Sequence, residues 1–148
     1  VVRRDPMAMR PFTGYDMGDY FGHWLEMGKN IPNPPKIFHV NWFRTDADGH
    51  FIWPGFGDNM RVLLWILARC EGKVDARETA IGYVPYAKDI NIEGLDITED
   101  TVNELLSVDN EAWLADVENI KEFYDMIGGT VPCELREELS ALKARLSK

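Results

Sequence analysis

Two glycines and a proline near the end of the chain, Gly128-Gly129 and Pro132, separate two apolar stripes of helical period, and this punctuation constrains the fold most. Before it, Trp113, Val117, Ile120, Tyr124 and Ile127 recur at helical spacing behind Asp109, whose carboxylate can accept from the first free amides of a helix. After it, Leu135, Leu139, Leu142 and Leu146 follow 4-3-4 spacing. Pro132 suits the first turn of that helix, where a missing N–H costs nothing. Glycine ends the earlier helix by taking the left-handed conformation that other residues avoid. Helices joined by so short a loop are expected to fold as a hairpin with their stripes together. Both stripes read as packing, with no ligand role.

The rest of the chain alternates short elements. Met17, Tyr20, Phe21, Trp24 and Leu25 predict a helix over Asp16–Met27 that stops at Gly28, before a proline-rich loop through Pro35. Lys36–Phe43 predicts a strand, with Ile37, His39, Asn41 and Phe43 on one side and Phe38, Val40 and Trp42 on the other. A polar turn centred on Asp48-Gly49 and a return strand Phe51-Ile52-Trp53 complete a β-hairpin, ended by Pro54-Gly55. Asp58–Cys70 is apolar around much of its girth, which predicts a deeply buried helix ended by Gly72. Residues 79–84 predict a further short strand, and Thr98 or Glu99 starts a helix reaching Ser107. The fold class expected is mixed α/β (α+β): short strands and a hairpin packed with helices, with a helical C-terminal end.

A length of 148 residues, 45% hydrophobic and 28% charged, is that of one globular domain. The longest apolar run, Val62 to Ala68, is far short of the roughly 20 residues a membrane span needs. The start, Val1-Val2-Arg3-Arg4-Asp5-Pro6, has neither an initiating Met nor a secretory core and reads as a cut through a longer protein. A net charge of −9 repels phosphate backbones, which argues against general nucleic-acid binding but leaves a single nucleotide possible. Cys70 and Cys133 form no C-x-x-C pair. They are expected to be reduced thiols of a cytoplasmic protein, buried as small hydrophobes.

Most catalytic signatures are absent. There is no G-x-x-x-x-G-K-[ST] loop and no H-E-x-x-H, and His23, His39 and His50 lack metal-ligand spacing. Asp46-Ala47-Asp48-Gly49 faintly suggests a calcium loop, yet that register puts Arg44 and Gly55 where acids are required. A solvated turn accounts for it. What remains is a concentration of rings: Trp42, Phe43, Phe51, Trp53 and Phe56, followed by Asn59. Residues alone allow two readings. One is a hydrophobic mini-core. The other is an aromatic slot, because Phe56 lies between glycines and Asn59 brings an amide near the rings. Such a slot suits a purine, whose faces stack on aromatic rings while its rim meets the amide's donor and acceptor.

Four strings carry a resemblance: Asp5 to Phe12 (DPMAMRPF), Pro35 to Arg44 (PKIFHVNWFR), Phe51 to Asn59 (FIWPGFGDN) and Ile81 to Pro85 (IGYVP). With them the chain resembles GTP-dependent phosphoenolpyruvate carboxykinases over nearly its whole length, as one C-terminal segment of the nucleotide-binding domain. The resemblance implies the reversible conversion of oxaloacetate and GTP into phosphoenolpyruvate, carbon dioxide and GDP, a step of gluconeogenesis, in a monomeric parent. It implies a guanine site of Phe43, Phe51, Phe56 and Asn59, with Phe43 and Phe56 sandwiching the base, Phe51 closing the edge and Trp42 beside it. It also implies that the phosphate loop, the Mn²⁺ and Mg²⁺ ligands and the oxaloacetate-binding residues lie upstream, so that no catalytic or metal-binding residue falls in residues 1–148. Asp58 stands where the family more often has Glu, and the 28–35 loop is shortened. Two rivals remain: a regulatory or protein-interaction module using the acidic surface and helical hairpin, and a structural lobe with an aromatic core.

Overall fold

The computed structural model describes residues 4–148 (only the backbone at Met7), so the first three residues of the opening lie outside it. The described residues contain five α-helices and one small antiparallel sheet: α1 Met17–Asn30, α2 Asn59–Cys70, β1 Arg77–Thr79, β2 Gly82–Val84, α3 Glu99–Leu105, α4 Asn110–Ile127 and α5 Cys133–Leu146. The mixed class expected from the sequence holds. Among the described residues no helix is long and apolar enough to cross a membrane.

The chain divides into two units, one formed by residues through Pro35 with Asp109–Lys148 and the other by Lys36–Val108. In the first, Asp109 caps α4 by accepting from the N–H groups of Glu111 and Ala112 at 3.0 and 3.1 Å. Gly128 takes φ 95° and ends the helix. α5 follows as the expected hairpin partner, with Val117, Phe123, Val131 and Leu146 buried. Pro132 is the N-cap of α5, one position before the first turn.

α1 is anchored at its start. Asp16 Oδ1 accepts from Gly18 N–H and from the Thr130 hydroxyl, both at 2.6 Å. The approach is so close that a Cβ on Gly18 would lie 2.3 Å from the Thr130 carbonyl oxygen. One turn further, Phe21 meets Phe123 edge-on at 6.4 Å. The helix passes the expected stop at Gly28 and runs to Asn30, where Ile31 and Pro32 end it.

The second unit is built on Trp53, Trp65, Ala87, Ile90 and Val102, with Phe38, Trp42, Val62 and Ile66 packed against them. The strand expected at 79–84 is a hairpin of two strands, Arg77 opposite Val84 and Thr79 opposite Gly82. Ala80 and Ile81 make the reversal, and Gly82 leaves it at φ 123°.

Three expectations fail here. Lys36–Phe43 and Phe51–Trp53 form no strands; beside them there is one isolated bridge, Thr45 to Phe51, in place of a ladder. A strand needs a ladder of partners, and the segment 36–43 has no bridge partner at all. Its alternation survives, however, with Phe38, Val40 and Trp42 partly buried and Ile37, His39, Asn41 and Phe43 exposed. α2 is not deeply buried: Trp65 faces the core, while Met60, Leu63, Leu64 and Leu67 form an exposed stripe. An apolar girth shows that a helix could be surrounded, but burial depends on what surrounds it. Cys70 and Cys133 are exposed rather than buried, because each sits at a helix terminus turned to solvent.

Candidate functional site

The stretch from Asn41 to Asn59 is fastened by its polar groups. Asn41 Oδ1 accepts from Phe43 N–H at 2.9 Å. The Arg44 guanidinium donates to the carbonyls of Leu105 and Ser107 at 3.3 Å and to Ser107 Oγ at 2.9 Å, tying the stretch to the end of α3. Asp46 Oδ1 accepts from the N–H groups of Asp48 and His50, both at 2.9 Å. The His50 bond leads in holding that carboxyl below its ordinary range. Ile52 N–H donates back to the Arg44 carbonyl at 3.0 Å.

On this frame the five rings divide by type. Trp53 is buried and Trp42 lies half-buried beside it, centroids 6.1 Å apart. The phenylalanines face solvent: Phe43 is 71% exposed, Phe51 64% and Phe56 92%. Phe43 and Phe51 meet edge-on at 5.9 Å and 62°. Phe56 has no ring partner among the described residues. The mini-core reading holds for the tryptophans, while the phenylalanines lie outside it on an open surface. Full burial of one Phe is worth about 1.5–3 kcal/mol, and these exposed rings leave that stabilisation largely unrealised.

Backbone geometry presents Phe56. Gly55 holds φ 120° and ψ −168°, and Phe56–Asp58 forms a single 3-10 turn closed by Asp58 N–H to the Gly55 carbonyl at 3.1 Å. Asn59 then opens α2. Asp58 accepts from Arg61 Nε at 3.0 Å, and the same guanidinium donates to the carbonyls of Asn91 and Glu93 at 2.9 and 3.0 Å. The first turn of α2 is thus held in place. Trp53 Nε1–H donates to Asn59 Oδ1 at 2.9 Å, a contact across six residues that the sequence reading missed. The signal was there: an indole is a donor only, and the nearest amide carbonyl in sequence belongs to Asn59.

Among the described residues, one group brings three possible metal ligands together: Asp46, Asp48 and His50, all exposed. Asp46 already spends one oxygen on two backbone amides of the turn. The hydrogen bonds of the turn account for the grouping.

A family model described as the phosphoenolpyruvate carboxykinase C-terminal P-loop domain matches residues 1–145. The chain is 54% identical over 148 residues to phosphoenolpyruvate carboxykinase (GTP) of Renibacterium salmoninarum, covering 99% of this chain and 24% of the relative. Relatives of the same name from Treponema pallidum and Anaeromyxobacter dehalogenans are 50% and 48% identical, with the same shares covered. The chain therefore spans about a quarter of the length of the curated relatives it matches. On a match over nearly its whole length, the chain belongs to the GTP-dependent phosphoenolpyruvate carboxykinase family, within the C-terminal domain.

Proposed function

We propose that this segment supplies guanine-nucleotide recognition to a cytoplasmic carboxykinase that converts oxaloacetate and GTP into phosphoenolpyruvate, carbon dioxide and GDP in gluconeogenesis. Phe43 and Phe56 lie against the two faces of the base, Phe51 closes its edge, Asn59 meets its rim and Trp42 backs the site. The observation that carries this reading is the outward exposure of Phe43, Phe51 and Phe56 beside Asn59, whose amide NH2 has no partner among the described residues. Stacking supplies affinity of about 1–3 kcal/mol per aromatic contact and is indifferent to which base is bound. Choice comes from the rim, where a mismatched buried polar group costs about 1–3 kcal/mol.

Phosphoryl transfer requires an anion cradle and a metal to neutralise developing charge. In the full-length enzyme, Mn²⁺ and Mg²⁺ would supply that charge through residues outside this segment. The role of these 148 residues is nucleotide choice and affinity. A wholly structural lobe is the weaker reading for the phenylalanines, since Phe56 at 92% exposure buries almost nothing.

The test is a titration of the chain with GDP and then ADP, followed by tryptophan fluorescence, with Phe56→Ala alongside. Trp42 and Trp53 report on the site. Saturable binding that favours GDP and disappears in Phe56→Ala is the expected result. No binding of either nucleotide, or equal binding of both, overturns this reading for the chain.

A further inference from the structure

Asn59 can discriminate bases only if its amide points a known way. A free primary amide flips readily, offering its carbonyl in one orientation and its NH2 in the other. A flipped Asn59 would invert the choice at the rim. Guanine carries the acceptor O6 where adenine carries the donor N6–H2, so an amide free to turn could satisfy either base.

Something in the structure holds it. Trp53 Nε1–H donates to Asn59 Oδ1 at 2.9 Å. The indole has one N–H and no acceptor, so turning the amide round would set NH2 against N–H, two donors face to face. Trp53 cannot easily move to accommodate that. It is 6% exposed, belongs to the core cluster with Trp65, Ala87, Ile90 and Val102, and lies against Trp42. Asn59 is fixed in turn by the first turn of α2. The carbonyl end is thus committed to the core, while Nδ2 has no partner among the described residues and remains as the free end.

We infer that Trp53 is a positioning residue for base selection: its indole N–H locks the Asn59 amide as a donor toward the ligand, favouring O6 of guanine over N6–H2 of adenine. The inference rests on the reading of Asn59 as the rim contact. Trp53 touches no base itself. It acts on identity through Asn59, whereas the phenylalanines act on affinity.

The experiment measures GDP and ADP affinities by isothermal titration for the unchanged chain, Trp53→Phe, Asn59→Ala and Asn59→Asp. Trp53→Phe keeps a ring in the core and removes the N–H. It is expected to lower the GDP-to-ADP affinity ratio about five- to tenfold, the worth of one neutral hydrogen bond, chiefly by releasing the amide to accept from ADP. Asn59→Asp removes the free donor and should lose GDP preference with the core intact. If Trp53→Phe weakens GDP and ADP equally, Trp53 is only a packing residue and the inference falls, although Asn59→Ala still abolishes the preference. If Asn59→Ala leaves the preference unchanged, the rim reading falls and takes the inference with it. A second readout needs no ligand: the Trp53 indole N–H resonance should shift upfield and exchange faster in Asn59→Ala. An unmoved resonance means the bond is not made in solution and overturns the lock.

Discussion

Gly55 takes φ 120° and ψ −168°, a region open in practice to glycine alone, although a Cβ added there would meet nothing within 4 Å. Gly57, two positions on, has equal room and no such dihedral. Gly55→Ala is accordingly expected to cost about 1–3 kcal/mol in urea unfolding, and Gly57→Ala much less. The string Gly-Phe-Gly revealed an open backbone but not which glycine the turn requires, since only the fold sets the dihedral. Phe56→Ala belongs at this scale too. With the ring 92% exposed, unfolding free energy should change by no more than about 0.5 kcal/mol while GDP binding is lost. A core ring would cost about 3–5 kcal/mol, so one denaturation curve separates slot wall from core. Gly18 gives the opposite case. Its added Cβ would strike the Thr130 backbone at 2.3 Å, and Gly18→Ala should destabilise by about 1–3 kcal/mol, read from the same curve.

α1 depends on one carboxylate for its start. The Thr130 hydroxyl first, and the Gly18 N–H after it, hold the Asp16 carboxyl below its ordinary value of 3.8. A lowered value in the folded state means that the unfolded chain binds the proton more readily. The stabilisation is therefore present above about pH 3.8 and is lost as pH falls through the lower folded value. Thermal melts between pH 6 and pH 2.5 should show a smaller fall for Asp16→Asn than for the unchanged chain. Elements of this kind were legible because their determinants are local: Asp109 before a stripe, Gly128 after it, Asp16 ahead of Met17. The segment 36–43 was legible only in its alternation, because a strand also needs distant partners that no short window contains. For α2 the apolar girth was visible, but the exposure of Met60, Leu63, Leu64 and Leu67 was not. Within the site, the residue types were legible from Phe43 to Asn59 and the alternation already parted Trp42 from Phe43, whereas the burial of Trp53 and the exposure of Phe51 and Phe56 came only with the fold.

For the molecule entire, a share of 24% of its relatives' length sets what to expect of it in isolation. The segment has no phosphate-loop string, and the proposed function puts the parent's metal-binding and oxaloacetate-binding residues outside it. Oxaloacetate-dependent GTP consumption by the 148 residues should accordingly be undetectable in a coupled assay. Measurable turnover would place catalytic residues inside the segment. The net charge of −9 favours solubility and does not help attract an anionic nucleotide, so affinity for GDP should rise as salt is raised from low to moderate concentration. The two exposed thiols set how the chain must be handled. Each copy carries two, Cys70 in one unit and Cys133 in the other, so aerial oxidation can link copies end to end instead of stopping at pairs. Electrophoresis without reductant after storage in air should show a ladder of bands that collapses to one when a thiol is added.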